Sequence, residues 1–248
     1  TGTLTATYDN PSNNFATLNP LYSVLTYVPT FSNGNTTVVH ATTSGAWRTT
    51  PATMGMKKGK WYWECIGGNS AGQYYPGIAS PEWLSGGDPA STGPEGEIGA
   101  GVSQLSYGTY PLNGAVYYSN TSGAGNSSAG YTATGTETDY WGVFLDCDNW
   151  KLYYTKNGAI QNSGTGFDIQ SDFEYLPAFG YYNTAATGVN INFGNGTFGT
   201  TALTGTTYSD NDSIGTFKYS PNYGGASTFD SAAKNFMAVC TKNIKEYG

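Results

Sequence analysis

Trp61-Tyr62-Trp63-Glu64-Cys65-Ile66 is the stretch that decides the fold class of this chain. In an extended segment successive side chains point to opposite faces. Trp61, Trp63 and Cys65 then share one face, and Tyr62, Glu64 and Ile66 share the other. The same pattern recurs outward from it. Trp141 to Cys147 sets Val143, Leu145 and Cys147 on one side, and Asp148-Asn149 supplies a turn. Lys151 to Thr155 returns, and Asn157-Gly158 turns again; an Asn-Gly pair tolerates positive φ at both positions and is a strong hairpin signal. Gly77-Ile78-Ala79 reads as a short buried strand, and Leu176 to Phe179 as another, opened by an edge-type Pro177. Val189-Asn190-Ile191-Asn192-Phe193 alternates without a break, which predicts one dry face and one wet face. Helical periodicity is almost absent, and turn formers separate the runs. The reading is all-β, an antiparallel two-sheet β-sandwich.

Composition narrows the function classes. Charged residues are 11% of the 248, aromatic residues 15%, and Tyr occurs 21 times. Strand and turn formers fill the remainder, and so aromatic a chain does not read as disordered. Acids outnumber bases 17 to 10, for a net charge of −7, and Arg48 is the only arginine. A nucleic-acid partner needs a basic face to displace counterions, and none is visible; an anionic membrane is disfavoured for the same reason. No apolar run approaches a membrane span, so no membrane insertion is expected. Cys65, Cys147 and Cys240 lie in apolar runs without metal-ligand spacing and read as small buried hydrophobes. The chain opens on Thr1 without a signal-peptide pattern, which reads as a piece of a longer chain.

Loops and a stretch poor in core residues separate the strands. Ser85 to Gly96 and Ser119 to Gly130 read as surface loops, and Thr200 to Gly225 has few aliphatic residues. Phe229 to Ile244 regains Phe236, Met237 and Val239. The expected organisation is a sandwich over residues 1–199 and a C-terminal extension over 200–248 that packs back on it.

Gly59-Lys60-Trp61-Tyr62-Trp63-Glu64 resembles the opening strand motif of SPRY (B30.2-like) domains, and Gly77-Ile78-Ala79 the glycine-led strand that follows it. Gly142-Val143-Phe144-Leu145-Asp146 with Leu152-Tyr153-Tyr154-Thr155-Lys156-Asn157-Gly158 resembles the central hairpin of that family. Leu176-Pro177-Ala178-Phe179 and Val189 to Gly194 resemble its closing strands. The pieces occur in family order between Ala16 and Gly199. The flanks, Asp9 to Pro20, Thr30 to Asn35 and Lys234 to Ile244, are similar to those of SPRY domains in virion proteins of tailed bacteriophages: fibres, tail appendages or capsid decorations. The resemblance implies a concanavalin-like jelly roll of two facing sheets. It implies binding rather than catalysis, with partners held by loops at one end and no cofactor. Expected partners are a host surface glycan or protein and other virion proteins, with a homo-oligomer such as a trimer, on the virion surface and so extracellular. The competing readings are a structural virion domain that binds other subunits, and a polysaccharide hydrolase.

The candidate contact residues are aromatic: Tyr74, Tyr75, Trp83, Tyr107, Tyr110, Tyr117, Tyr118, Trp150, Tyr181 and Tyr182. Tyrosine gives large contact area at low entropy cost and keeps a polar tip. The plainer alternative is that half of each pair lines the core. A glycosidase needs two carboxylates at a set separation. Glu95 and Glu97 are the nearest pair, but glycine and proline interrupt them, so a solvated loop is the expectation. Asp146 and Asp148 alternate on one face; Asp148 with Asn149 reads as turn chemistry and Asp146 as structural. His40, the only histidine, has no triad partners in sequence reach. Asp210 and Asp212 gather hard oxygens as calcium prefers, without the remaining ligands of an EF-hand, so an Asx-rich turn is the expectation and no metal is assigned.

Overall fold

A computed structural model describes residues 9–22, 29–39, 47–67, 74–85, 98, 105–120, 123–128, 135–182, 188–222 and 235–248. The strands, in chain order, begin with β1 (Thr30–Ser32), β2 (Thr37–Val39), β3 (Trp47–Pro51), β4 (Lys60–Gly67) and β5 (Tyr74–Ala79). They continue with β6 (Ser106–Tyr110), β7 (Ala115–Asn120), β8 (Gly123–Ser128), β9 (Tyr140–Asp146), β10 (Lys151–Lys156), β11 (Ala159–Ile160) and β12 (Phe167–Asp168). Then come β13 (Leu176–Tyr182), β14 (Gly188–Asn192), β15 (Thr197–Phe198), β16 (Thr201–Ala202), β17 (Tyr208–Ser209), β18 (Thr216–Phe217) and β19 (Met237–Ala238). The helices α1 (Pro81–Leu84) and α2 (Thr241–Tyr247) are too short to announce themselves as a helical period.

One sheet runs β1-β2-β14-β4-β9-β10-β11, with β12 beside β10 and β19 beside β4. The other runs β3-β13-β5-β6-β7-β8. Pairing is antiparallel except for β19, which lies parallel to β4. The fold class read from the sequence is the one observed. Trp61, Trp63 and Cys65 on β4, Val143 and Leu145 on β9, and Ile191 on β14 are buried against Tyr74, Ile78, Phe179, Tyr107 and Val116 of the second sheet. The predicted hairpin at Asn157-Gly158 is present, with φ of 49° and 79°.

The other face of the first sheet is also covered. The Tyr62 ring lies 4.4 Å from Phe144 and 4.8 Å from Phe217, and Phe144 lies 5.1 Å from Phe236. β14 pairs with Glu64 to Gly67 of β4, and β19 takes the same side of β4 at Trp61 and Tyr62. The last part of the chain therefore continues the lane that β14 leaves. Leading and closing segments meet there: Ala16 N–H donates to the Val239 carbonyl at 2.8 Å. This cover corrects the expected wet face of β14, because Asn192 is fully buried beneath it.

Two further expectations are corrected. Pro177 lies on an interior strand, between β3 and β5. Its carbonyl still accepts from Ala52 N–H at 2.8 Å, so the missing proline donor costs one ladder bond just past the end of β3. The Ser119–Gly130 stretch, read as a loop, contains β8, which pairs with β7 from Ala115↔Ser128 to Asn120↔Gly123. Backbone hydrogen bonds to an existing strand suffice there without the side-chain signals of a strand.

Candidate functional site

The second sheet gathers aromatic rings on its outer face. Alternation from the buried Tyr74 and Tyr107 directs Tyr75 on β5, Tyr110 on β6 and Tyr117 on β7 outward. Tyr75 pairs with Gly180, Gly77 with Gly108, and Gly108 with Tyr117. Gly108 and Gly180 leave room for Tyr75 and for the buried Ile98 packed on the same face. A Cβ on Gly108 would stand 2.9 Å from Ile98 Cγ2 and 3.0 Å from Tyr75 Cβ. Trp47 of β3 completes the group. Ring centroids are 4.5 Å apart for Trp47–Tyr75, 4.8 Å for Tyr75–Tyr110, 5.1 Å for Tyr75–Tyr117 and 5.6 Å for Tyr110–Tyr117. Tyr75 is fully buried as the floor, while Trp47, Tyr110 and Tyr117 are half-buried around it. Asn113 Nδ2 donates to the Tyr117 hydroxyl at 3.1 Å and fixes the rim. The result is a rigid aromatic surface bearing hydroxyl and amide groups, suited to apolar or sugar C–H faces.

The ten aromatic candidates fall into different places. Tyr75, Tyr110 and Tyr117 meet in this patch. Tyr74 and Tyr107 are core residues; burial pushes the Tyr107 hydroxyl up to about 12. Trp83 is buried on α1, whose Ser80 side chain caps the Trp83 N–H. These three side chains, and Tyr75 beneath the patch, are buried, which corrects their reading as exposed contacts. Tyr118 lies on the opposite face of β7, 5.2 Å from Phe167, and Trp150 sits half-buried in the β9–β10 turn with φ 54°. The backbones of Tyr181 and Tyr182 pair with Arg48 and Trp47; their side chains lie outside the described residues. Sequence reasoning does not single out Trp47; its signal is the alternation Trp47-Thr49-Pro51 beside the arginine.

Glu64, Asp146 and Asp210 hold structural positions. Glu64, under the cover of the first sheet, accepts from the Tyr62 hydroxyl at 3.0 Å, Asn192 Nδ2 at 3.1 Å, Lys218 N–H at 2.9 Å and Tyr219 N–H at 2.7 Å. Burial pushes its carboxyl up to about 7 against the pull of those donors. Asp146 accepts from the N–H groups of Asp148 and Asn149 and shapes the β9–β10 turn. The turn chemistry assigned to Asp148 thus belongs to Asp146; Asp148 instead accepts from Gly59 N–H at 2.8 Å. Asp210 is buried and accepts from Ile214, Gly215 and Ala238 N–H and from Asn243 Nδ2. Both of its oxygens face donors, which corrects its reading as a weak cation candidate alongside Asp212. Cys65, Cys147 and Cys240 are buried thiols, and burial pushes each upward. His40, Glu95 and Glu97 lie outside the described residues.

Solved structures share this fold, two SPRY domains among them. The SPRY domain of human HERC1 matches with a TM-score of 0.51 and 17% identity, over 70% of this chain and 96% of that one. The PSpry domain of TRIM65 matches with a TM-score of 0.51 and 15% identity, over 72% and 92%. No protein-family model matches the chain, and no curated protein matches it in sequence. The architecture is a SPRY-type β-sandwich.

Proposed function

We propose that this SPRY-type sandwich is a non-enzymatic binding module of a bacteriophage virion, exposed on the particle, that grips a host surface glycan or protein. The observation that carries the reading is the half-buried ring of Trp47, Tyr110 and Tyr117 over Tyr75 on the outer face of the second sheet. Rings preset in one arrangement lose little entropy on contact and offer both apolar faces and hydroxyl tips. The occupied carboxylates favour binding over hydrolysis, because Glu64, Asp146 and Asp210 hold backbone rather than face a cleft. The virion setting rests on the flanking segments similar to those of tailed-phage proteins.

Adsorption of the isolated chain to host cells, with a glycan array alongside, tests this. Trp47→Ala with Tyr117→Ala is expected to lower binding at least tenfold while the circular dichroism spectrum is kept. Undiminished binding by that variant would remove the patch from recognition. A chain that adsorbs to no host strain but co-assembles with purified virion subunits would turn the patch into an assembly interface, and light scattering would report any trimer.

A further inference from the structure

A second cleft lies on the opposite side of the molecule, over the outer face of the first sheet. Tyr140 of β9 and Asn190 of β14 form its floor, the β15–β16 hairpin raises a wall with Phe198, Thr201 and Thr204, and Lys218 closes one side. Its volume is about 210 Å³, below the roughly 300–1,000 Å³ of drug-sized pockets. That size suits a single sugar ring.

The polar groups are arranged rather than scattered. The Lys218 ammonium sits 4.8 Å from the centroid of the Tyr140 ring and 5.8 Å from that of Tyr219. Tyr140 stands edge-on to Phe198 at 5.1 Å. Asn190 Oδ1 accepts from the Thr37 hydroxyl at 2.7 Å, and Asn33 Nδ2 donates to that hydroxyl at 2.9 Å. This relay orients the amide and leaves Nδ2 as its remaining donor. No aspartate or glutamate lines the cleft. Among the described residues the ion pairs are Lys60–Asp146, Lys151–Asp168 and Lys156–Asp139, so Lys218 is not paired with a carboxylate there. In a chain with 17 acids and 10 bases, a lysine whose ammonium makes no ion pair among the described residues and is held over aromatic rings is a localised positive site.

We infer that this cleft binds an acidic sugar residue of a saccharide: Lys218 takes the carboxylate, Tyr140 and Phe198 meet the ring face, and Asn190, Thr201 and Thr204 bind hydroxyls. An acidic peptide would satisfy the lysine alone, whereas a ring, an amide and two hydroxyls beside it fit a polyhydroxylated ring. This site is separate from the patch around Tyr75.

The test is a calorimetric titration of the intact chain with tri-galacturonate and N-acetylneuraminate, against maltotriose and tri-glutamate. The acidic sugars are expected to bind at least tenfold more tightly than maltotriose and tri-glutamate. Lys218→Met should lose at least tenfold, Lys218→Arg should retain most of the affinity, and added salt should weaken binding. Trp47→Ala should leave these titrations unchanged, which separates this site from the patch. Equal binding of maltotriose, stronger binding of tri-glutamate, no heat with either acidic sugar at millimolar concentration, or an unaffected Lys218→Met variant with native circular dichroism would each overturn the inference.

Discussion

Glu64→Gln keeps the shape of a fully buried side chain and removes its charge. In the folded chain the Glu64 carboxyl is pushed from 4.5 to about 7. Its folded value exceeds its unfolded one, so the native state binds the extra proton between those limits. The stability contributed by protonation is complete below pH 4.5 and is lost as pH rises through about 7. At about 1.4 kcal/mol per pH unit, that gap amounts to about 3 kcal/mol. Glutamine does not titrate. Its amide also turns an NH2 toward two of the four donors, Tyr62, Asn192, Lys218 and Tyr219, where the protonated acid turns one hydroxyl. The additional unsatisfied donor costs about 1–3 kcal/mol. The variant is therefore expected to be less stable than the parent near pH 4.5, and equal to it or more stable near pH 8. Urea unfolding of both proteins at the two pH values, with unchanged m-values, measures the difference. Parallel pH profiles would refute the reasoning. A penalty that grows with pH would show that the four donors outweigh burial and hold the carboxylate in its charged form.

Asp210→Ala strands four buried donors and is expected to cost about 3–5 kcal/mol, lowering Tm by about 10 °C in a thermal scan. Millimolar calcium should leave the parent Tm in place, since both Asp210 oxygens already accept hydrogen bonds. Gly142→Ala sets a Cβ 2.4 Å from Thr155 Oγ1 and 2.7 Å from the Tyr62 hydroxyl; overpacking of this kind costs about 1–3 kcal/mol, measurable by urea unfolding. Cys65, Cys147 and Cys240 should resist a thiol reagent at neutral pH until urea unfolds the chain, because all three are buried and their thiols are pushed upward.

The order of residues along the chain sufficed for the all-β sandwich, since period-two alternation at Trp61–Ile66, Trp141–Cys147 and Val189–Phe193 is a local consequence of extended backbone. It also determined the Asn157-Gly158 turn, because positive φ is a property of those residues. Which polar residues are buried and which aromatic ones remain at the surface follows from the assembled fold. Asn192 and Glu64 look solvated until the remote residues Phe217 and Phe236 close over their face. Tyr74 and Tyr75 are adjacent and alike, yet one enters the core between the sheets and the other a second buried cluster on the outer face of its sheet, because pleating sends neighbours to opposite sides. Trp47, Tyr110 and Tyr117 come together through the register of β3, β13, β5, β6 and β7. Lys218 reaches Tyr140 only after the chain has folded back across 78 positions. Such long-range placement depends on which strand edges meet and which faces become covered, and no local stretch of residues encodes it.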